Sequence, residues 1–343
     1  MILVDALYIN NSGGKVLLDY LIEELEVSGL HVFYLLDDRV SSSAYTVKQG
    51  NIIYLKASLI NRFNFYRENK DKFTKVFCFG NLPPLHKLNI PVYTYFHQKL
   101  FIDEPKELPL KQKIVFKVKV FIFRQLMRNT RYWIVQTEAV KKDFLNAFAK
   151  IDNEQVLVIP FYPQLTSNNI ITVEREEKSF VYVSNGSPHK NHERLIKAFV
   201  EFFQVHKVGK LYLTIGTEFP ILQTLIKNYK EEGFPIINVG FLDRHALEKL
   251  YKTSEFLIFP SLSESFGLGL LEAMENGCKI VGANLDYTFA VCNPSLVFEP
   301  NSVHSITDAF IEAATKDVKL TEQLVFNEIN KLIEILKNNE NTK

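Results

Sequence analysis

The strongest candidate for a functional site is a segment that contains two glutamates and two glycines and spans a loop and the start of a helix. Glu264 and Glu272 are separated by seven residues in the segment PSLSESFGLGLLEA, residues 260–273. An apolar strand precedes this loop and a helix follows it, so the free N–H groups at the helix start favour an anion such as a phosphate. Gly267 and Gly269 allow a ligand to approach the backbone. Carboxylates beside an anion are costly unless they bind hydroxyls, so we predict a ligand with a sugar and a ribose flanking a diphosphate.

A second loop, residues 184–191, separates a predicted strand from a predicted helix over 193–206. Lys190 stands at the start of that helix, where a cation opposes the helix dipole. A bound diphosphate reverses the sign of that interaction, so Lys190 is a candidate phosphate ligand. The plain alternative is an ordinary exposed lysine.

The N-terminal half offers weaker signals at the ends of its predicted strands. Gly13 and Gly14 follow the first strand and lead into a helix, which suits a phosphate or a sugar hydroxyl but lacks the spacing of a P-loop. His97 and Asn81 each follow a predicted strand, where ligands of a parallel sheet bind. A plain turn, or a structural histidine, explains these residues equally well.

The E-x7-E segment, together with Gly277 and Ala283-Asn284, resembles the signature of family 4 glycosyltransferases. The resemblance is specific from about residue 180 to 301, and weaker but continuous in the N-terminal half. It implies an α/β GT-B fold, with two facing Rossmann-like, doubly wound domains and an interdomain cleft. It also implies a nucleoside diphosphate sugar as donor, retention of configuration, and no catalytic metal.

The resemblance also implies roles for individual residues. Glu264 and His97 are the expected catalytic residues, and Asn81 is expected on the acceptor side. Asn185 stands where the family commonly has Arg, which leaves Lys190 as the cation assigned to the diphosphate. The residues expected to bind the donor are Gly13, Gly14, Asn185, Lys190, Val239, Phe241, Ser265, Phe266, Gly267, Leu268 and Glu272.

Strand-like and helix-like segments alternate along the chain, which predicts parallel sheets covered by helices. The pattern restarts after a polar stretch over residues 160–178, so we expect domains over 1–165 and 166–343. The first helix is expected from Val16. A last helix over 320–337 closes the chain and is a candidate to pack back on the first domain.

Composition narrows the class of protein. The 343 residues are 47% hydrophobic with a net charge of +1, which argues against a disordered chain and gives no global reason to expect nucleic-acid binding. Cys78, Cys278 and Cys292 lie far apart, so neither a disulfide framework nor a structural zinc site is expected. With no export signal or membrane span recognised, we expect a cytoplasmic protein, peripheral at the inner face of the membrane.

A basic stripe in residues 111–133 supports the membrane expectation. On a helical wheel, five basic residues fall on one side of a helix rich in aromatic residues, a pattern typical of contact with anionic lipid. The alternative is a helix buried on its apolar side with one solvated edge. The five residues are Lys113, Lys117, Arg124, Arg128 and Arg131.

We therefore expect a metal-independent, retaining hexosyltransferase that acts on a glycan acceptor, lipid-linked, in bacterial surface polysaccharide synthesis of the O-antigen or capsule type. The absence of a D-x-D cluster supports metal independence. Two alternatives stay open: a sugar-nucleotide epimerase of the same architecture, and a catalytically weak subunit that binds a nucleotide sugar.

Overall fold

The computed structural model describes residues 1–42, 45, 47, 51–97, 99–102, 110–165 and 174–338. It divides the chain into two compact units. One unit comprises Met1–Pro163 together with Phe326–Lys343, and the other comprises Gln164–Val325.

The first unit is built on a parallel sheet. Its strands are β1 (Ile2–Ala6), β2 (Val32–Asp37), β3 (Asn51–Leu55), β4 (Lys75–Cys78), β5 (Val92–Tyr95), β6 (Tyr132–Val135) and β7 (Val156–Val158), in the order β3-β2-β1-β4-β5-β6-β7. Every residue of β1, β2, β4 and β5 is buried, as expected for strands covered on both faces. The strand order reverses between β1 and β4, and the carboxyl ends beside such a switch are where ligands bind.

Helices cover this sheet: α1 (Ser12–Val27), α2 (Leu59–Asn69), α3 (Leu110–Leu126) and α4 (Glu138–Ala147). α1 buries Leu17, Leu18, Leu21, Ile22 and Leu25, the spacing of one helical face. The predicted start of this helix at Val16 is wrong. The helix begins four residues earlier at Ser12, so Gly13 and Gly14 lie in its first turn rather than in a preceding loop.

The second unit repeats the arrangement. Its main sheet is parallel and contains β8 (Glu176–Tyr182), β9 (Lys210–Leu213), β10 (Ile236–Asn238), β11 (Ser254–Phe259), β12 (Lys279–Ala283) and β14 (Leu296–Phe298), in the order β10-β9-β8-β11-β12-β14. A short antiparallel pair joins β13 (Cys292–Asn293) to β15 (Glu322–Gln323). The order reverses between β8 and β11, so the loops after these two strands meet at one edge.

The helices of the second unit are α5 (His192–His206), α6 (Pro220–Glu231), α7 (Arg244–Thr253), α8 (Leu268–Glu275), α9 (Asp286–Val291) and α10 (Val303–Thr315). The predicted linker over 160–178 extends too far, because β8 begins at Glu176 and the Lys178 N–H donates to Glu255 at 2.7 Å. Residues 166–173 of that predicted linker lie outside the described residues.

The last helix, α11 (Ile329–Lys337), belongs to the first unit. It starts nine residues later than the predicted 320, because Glu322–Gln323 forms strand β15. The buried ammonium of Lys75 donates to the carbonyl oxygens of Ile335, Leu336 and Asn338 at 2.7–2.9 Å. A cation at a helix C-terminus satisfies its unpaired carbonyls, which explains why α11 packs with the first unit, as the sequence analysis allowed, rather than with the rest of the predicted domain over 166–343.

The fold class expected from the sequence is confirmed, since both units are parallel α/β sheets with a central switch in strand order. Strand β7 is only 3 residues long and follows a polar segment, so the sequence pattern does not indicate it.

Candidate active site

The loop after β11 forms an anion-binding edge on the second sheet. β11 ends at Phe259, and residues 260–267 lead directly into α8. Gly267 has a φ of +73°, and a Cβ atom there would lie 2.9 Å from the side chain of Leu270, so glycine is required. The first N–H groups of α8, beginning with Leu268, have no acceptor within the helix and favour an anion.

Lys190 and Glu264, predicted from separate loops, are in direct contact. The Lys190 ammonium donates to Glu264 Oε1 at 2.5 Å, and the two side chains are only 16% and 13% exposed. A partly buried pair of this kind is screened less by salt than a surface pair. The structure therefore places a cation and a carboxylate together beside the start of α8.

Two hydrogen bonds hold the residues that flank Lys190 against the loop that carries Glu264, and a third holds them against Pro300, which follows β14. Asn191 adopts the left-handed conformation with a φ of 62°, which Asn tolerates better than most residues. Its buried amide donates to the carbonyl oxygens of Pro260 at 3.1 Å and Pro300 at 2.7 Å. The Leu262 N–H donates to the His189 carbonyl at 2.8 Å. The switch in strand order brings these loops together, and these bonds fix their register.

His192 closes the same loop, a role that the sequence analysis did not assign. Its Nε2 lies 2.9 Å from both Ser184 Oγ and the Asn185 carbonyl oxygen. Burial lowers the pKa of His192 to about 4, so the ring is neutral at physiological pH. Asn185 itself is exposed, and its Oδ1 accepts the Ser187 N–H at 3.1 Å. Its predicted contact with the donor stays a prediction.

Glu272 occupies a different environment from Glu264. Its carboxylate is 7% exposed and lies 3.3 Å from the guanidinium of Arg244, which is 42% exposed. Burial raises the pKa of Glu272 to about 7, and Arg244 opposes that rise. Arg244 was not among the residues predicted from the sequence. The available signal was its place directly after Asp243, whose side chain accepts the Ala246 N–H as the N-cap of α7.

The remaining donor-site candidates fall into two groups. Val239 and Phe241 are exposed, Phe241 at 90%, so both offer apolar surface to a ligand. Phe266 is buried, and Ser265 is half-buried beside it. The Phe266 side chain therefore serves the core, and this segment can contact a ligand mainly through its backbone.

In the first unit, the structure brings Gly14 and His97 together at the switch between β1 and β4. A Cβ atom at Gly14 would lie 3.4 Å from His97 Cε1, so the glycine gives the imidazole its space. A Cβ atom at Gly13 would have no other atom within 4 Å. Asn81 is buried, and its Oδ1 accepts the His97 N–H at 2.7 Å. Asn81 therefore positions His97, while its predicted contact with the acceptor stays untested.

His97 presents a neutral imidazole. Burial lowers the pKa of His97 to about 4, and a hydrogen bond with the Phe79 backbone opposes that change. The ring stacks on Phe79 and Tyr95, with centroids 5.5 and 5.7 Å away. Its buried Nε2 has no hydrogen-bond partner among the described residues. A buried polar atom without a partner is costly, and a ligand hydroxyl in reach of Nε2 would remove that cost.

Helix α3 is too short to carry all five basic residues of the predicted stripe. It ends at Leu126, and the chain continues as a 3-10 turn over Met127–Asn129. Arg128 therefore lies in a 3-10 turn and Arg131 beyond it, so the predicted alignment of five basic residues on one helical face is wrong for these two. Lys113, Lys117 and Arg124 lie within the helix.

α3 also exposes an apolar patch. Its members are each more than half exposed: Ile114, Val115, Val118 and Phe121. Next to it, a groove of about 290 Å³ is lined by Phe101, Ile102, Phe116, Val120 and Phe121, with Lys117 and Arg124 as its charged members. In the part of the chain that the structure describes, no helix has the length and apolar character to cross a bilayer.

Comparison with known proteins relates this site to a family. Residues 166–331 match the sequence model of the family described as Glycosyl transferases group 1. This part of the chain is similar to a glycosyl transferases group 1 domain. It contains both ion pairs described above, Lys190 with Glu264 and Arg244 with Glu272.

Relatives and solved structures agree with this assignment. The serotype-specific mannosyltransferase WbdA of Escherichia coli is 22% identical over 81% of this chain and 35% of its own. The O-antigen chain mannosyltransferase RfbU of Salmonella typhimurium is 24% identical over 57% and 53%. The chain thus spans about a third of WbdA and about half of RfbU.

A similar solved structure is Anabaena HepE in complex with UDP and glucose, with a TM-score of 0.67, 14% identity and coverage of 92% of this chain and 90% of HepE. At this identity the likeness concerns the fold, and it supports the GT-B architecture of two Rossmann-like units.

Proposed function

We propose that this protein is a glycosyltransferase that moves a hexosyl unit from a nucleoside diphosphate sugar to a hydroxyl of a glycan acceptor, with retention of configuration, in bacterial surface polysaccharide synthesis. The observation that carries the proposal is the Lys190–Glu264 pair at the start of α8, within the part of the chain that is similar to a group 1 domain. That edge offers a cation and helix N–H groups to a diphosphate, and a carboxylate to the sugar beside it.

The chemistry follows from where charge develops. The bond between the anomeric carbon and the donor phosphate oxygen breaks, and the acceptor oxygen bonds to the same carbon. The acceptor proton passes to the departing diphosphate. Lys190 and the first N–H groups of α8 stabilise the charge on that diphosphate, which is the kind of preorganised electrostatic support that contributes most to catalysis.

Three further side chains hold the donor in this proposal. Glu264 orients the sugar through a hydroxyl and stabilises positive character at the anomeric carbon. Glu272, deeper in the unit, holds the ribose. His97, neutral and with an unpartnered Nε2, accepts a hydrogen bond from a hydroxyl of the sugar rather than carrying charge.

A panel of nucleotide sugars tested by thermal shift should identify the donor. A ligand at 100 times its Kd stabilises the folded protein by about 2.7 kcal/mol, enough to raise the melting temperature by several degrees. We expect one nucleoside diphosphate sugar, and its free nucleoside diphosphate, to produce such a shift. If no member of the panel shifts the melting temperature, the proposed donor site is wrong.

Transfer assays with the donor so identified separate the alternatives. We expect transfer that survives EDTA, because Lys190 and the helix N–H groups neutralise the diphosphate without a metal. Loss of transfer in EDTA and rescue by Mn²⁺ would contradict this. Turnover of the donor without an acceptor would indicate an epimerase. Donor binding with no transfer to any acceptor would indicate a binding subunit, the reading that the uncharged Asn185 favours.

We also propose that α3 binds the surface of an anionic membrane, where a lipid-linked acceptor presents its sugar. The exposed apolar patch suits the boundary between headgroups and acyl chains, and Lys117, Arg124 and Arg128 are exposed cations near it. An exposed apolar patch beside basic residues is expected of a helix at a membrane surface. It is not expected of a helix that merely exposes one basic edge to solvent.

The protein should co-sediment with anionic liposomes at low salt and be released at high salt. Each basic residue near such a surface contributes about 1 kcal/mol, so changing Lys117, Arg124 and Arg128 to Glu should weaken binding on the order of 100-fold or more. The matched control changes the exposed Lys227, Lys230 and Lys316 of the second unit to Glu, with the same change in net charge. Equal losses in both triple variants, or binding insensitive to salt, would remove the membrane proposal.

A further inference from the structure

Arg244 makes only long hydrogen bonds, although it is a cation beside a buried carboxylate. It is the first residue of α7, where the helix dipole disfavours a positive charge. Its guanidinium makes two hydrogen bonds, to Glu272 Oε1 and to the Gln164 carbonyl oxygen, both at 3.3 Å. That distance is beyond the usual length for N–H···O bonds. A guanidinium has five N–H donors, so most of its capacity lies outside these two contacts.

The ionised form of Glu272 is stabilised by that guanidinium. The other ionisable groups that interact with it are neutral or negative: the Tyr251 hydroxyl, whose pKa burial raises, and the carboxylate of Glu275. Arg175 lies further along, where it donates to the Asn276 carbonyl at the end of α8. Among the described residues, Arg244 is the cation in contact with the Glu272 carboxylate.

We propose that Arg244 is a nucleotide-binding residue of the donor site, which holds the ribose of a nucleoside diphosphate jointly with Glu272 and keeps that carboxylate ionised. The inference rests on the proposed function. A ribose hydroxyl both donates and accepts, so a vicinal diol can donate to the carboxylate and accept from the guanidinium. The long bonds of Arg244 leave it free to turn to such a ligand at little cost.

The pH dependence of nucleotide affinity follows from the same arrangement. A carboxylate accepts a hydrogen bond from a hydroxyl more strongly than a carboxylic acid does. Nucleotide affinity should therefore fall as the pH drops through the pKa of Glu272, which burial raises to about 7. Removing the Arg244 charge moves that pKa higher. The loss of affinity on acidification should therefore begin at a higher pH in R244Q than in the wild-type protein.

Titration calorimetry with UDP, GDP and ADP tests the inference. For the nucleoside diphosphate that the wild-type protein binds best, R244Q should bind about 10- to 100-fold more weakly at pH 7.5, as expected for loss of a hydrogen bond from a charged group. R244K should retain much of the affinity and the wild-type pH profile. K249Q removes an equal charge from an exposed position on the same helix and should bind as the wild type does.

The 2′,3′-dideoxy analogue of the same nucleotide distinguishes ribose recognition from a general charge effect. With the diol absent, R244Q and wild type should bind the analogue within about 3-fold of each other, since coupled groups lose their interaction once either is removed. An equal loss for the nucleotide and its dideoxy analogue, or an unchanged pH profile in R244Q, would overturn the inference alone. Failure of the wild-type protein to bind any of the three nucleotides would overturn the proposed function as well.

Discussion

Replacing Lys190 with methionine should lower kcat/KM for sugar transfer by roughly 30- to 1000-fold, equivalent to about 2–4 kcal/mol of transition-state stabilisation. Negative charge grows on the donor diphosphate as the glycosidic bond breaks, and Lys190 is held beside the start of α8 by the bonds of Asn191 and His189. Asn185, where the family pattern has an arginine, brings no charge to the same loop. Steady-state kinetics with the donor varied measures the effect.

The Lys190–Glu264 contact of 2.5 Å makes a control necessary, because K190M also strips Glu264 of its partner. K252M breaks a comparably buried pair, Lys252–Glu248 at 2.6 Å, on α7 and should leave transfer almost unchanged. In an E264Q background, K190M should still weaken binding of the free nucleoside diphosphate, because the diphosphate is the proposed partner of Lys190. If K190M adds nothing in that background, Lys190 serves only to neutralise Glu264.

The parallel sheets could be predicted from the sequence because their strands are short apolar runs that need burial on both faces. Asn51–Leu55, Tyr132–Val135 and Lys279–Ala283 are runs of this kind, and each forms a strand. The errors lie where local pattern and tertiary contact disagree. A pair of glycines indicated a turn before α1, yet both are helical, and Lys75 gave no sign that it would bind the end of α11 and draw it to the first unit.

At the site, residue types and spacing predicted candidate ligand-binding residues, but they did not predict which side chains these residues contact. Lys190 and Glu264 lie 74 positions apart in the chain, and only the switch in strand order between β8 and β11 explains their contact. Arg244 was missed because a cation at a helix start usually indicates solvent exposure rather than a buried carboxylate beside it. Asn81 follows a strand as predicted, but its amide oxygen is committed to the His97 N–H.

Changing each glutamate of the E-x7-E pair to glutamine should separate their two roles. E264Q should lower kcat, because its carboxylate is proposed to act on the reacting sugar, and should leave affinity for the free nucleoside diphosphate equal or higher. The reason is that a diphosphate must compete with Glu264 for Lys190 in the wild-type protein. E272Q should instead weaken both donor and nucleoside diphosphate by roughly 1.5–3 kcal/mol, about 10- to 100-fold, while kcat at saturating donor is largely kept.

The pH profile supplies the second test of the same pair. Because burial raises the pKa of Glu272 to about 7, nucleotide affinity of the wild-type protein should decline as the pH falls from 8 to 6, and this decline should be smaller in E272Q than in E264Q or the wild type. E248Q, which alters another buried glutamate paired with a lysine, controls for general destabilisation and should match the wild type. Small and equal effects of E264Q and E272Q on both kcat and affinity would mean that neither carboxylate contacts the donor. The start of α8 would then bind an anion without recognising its sugar or its ribose.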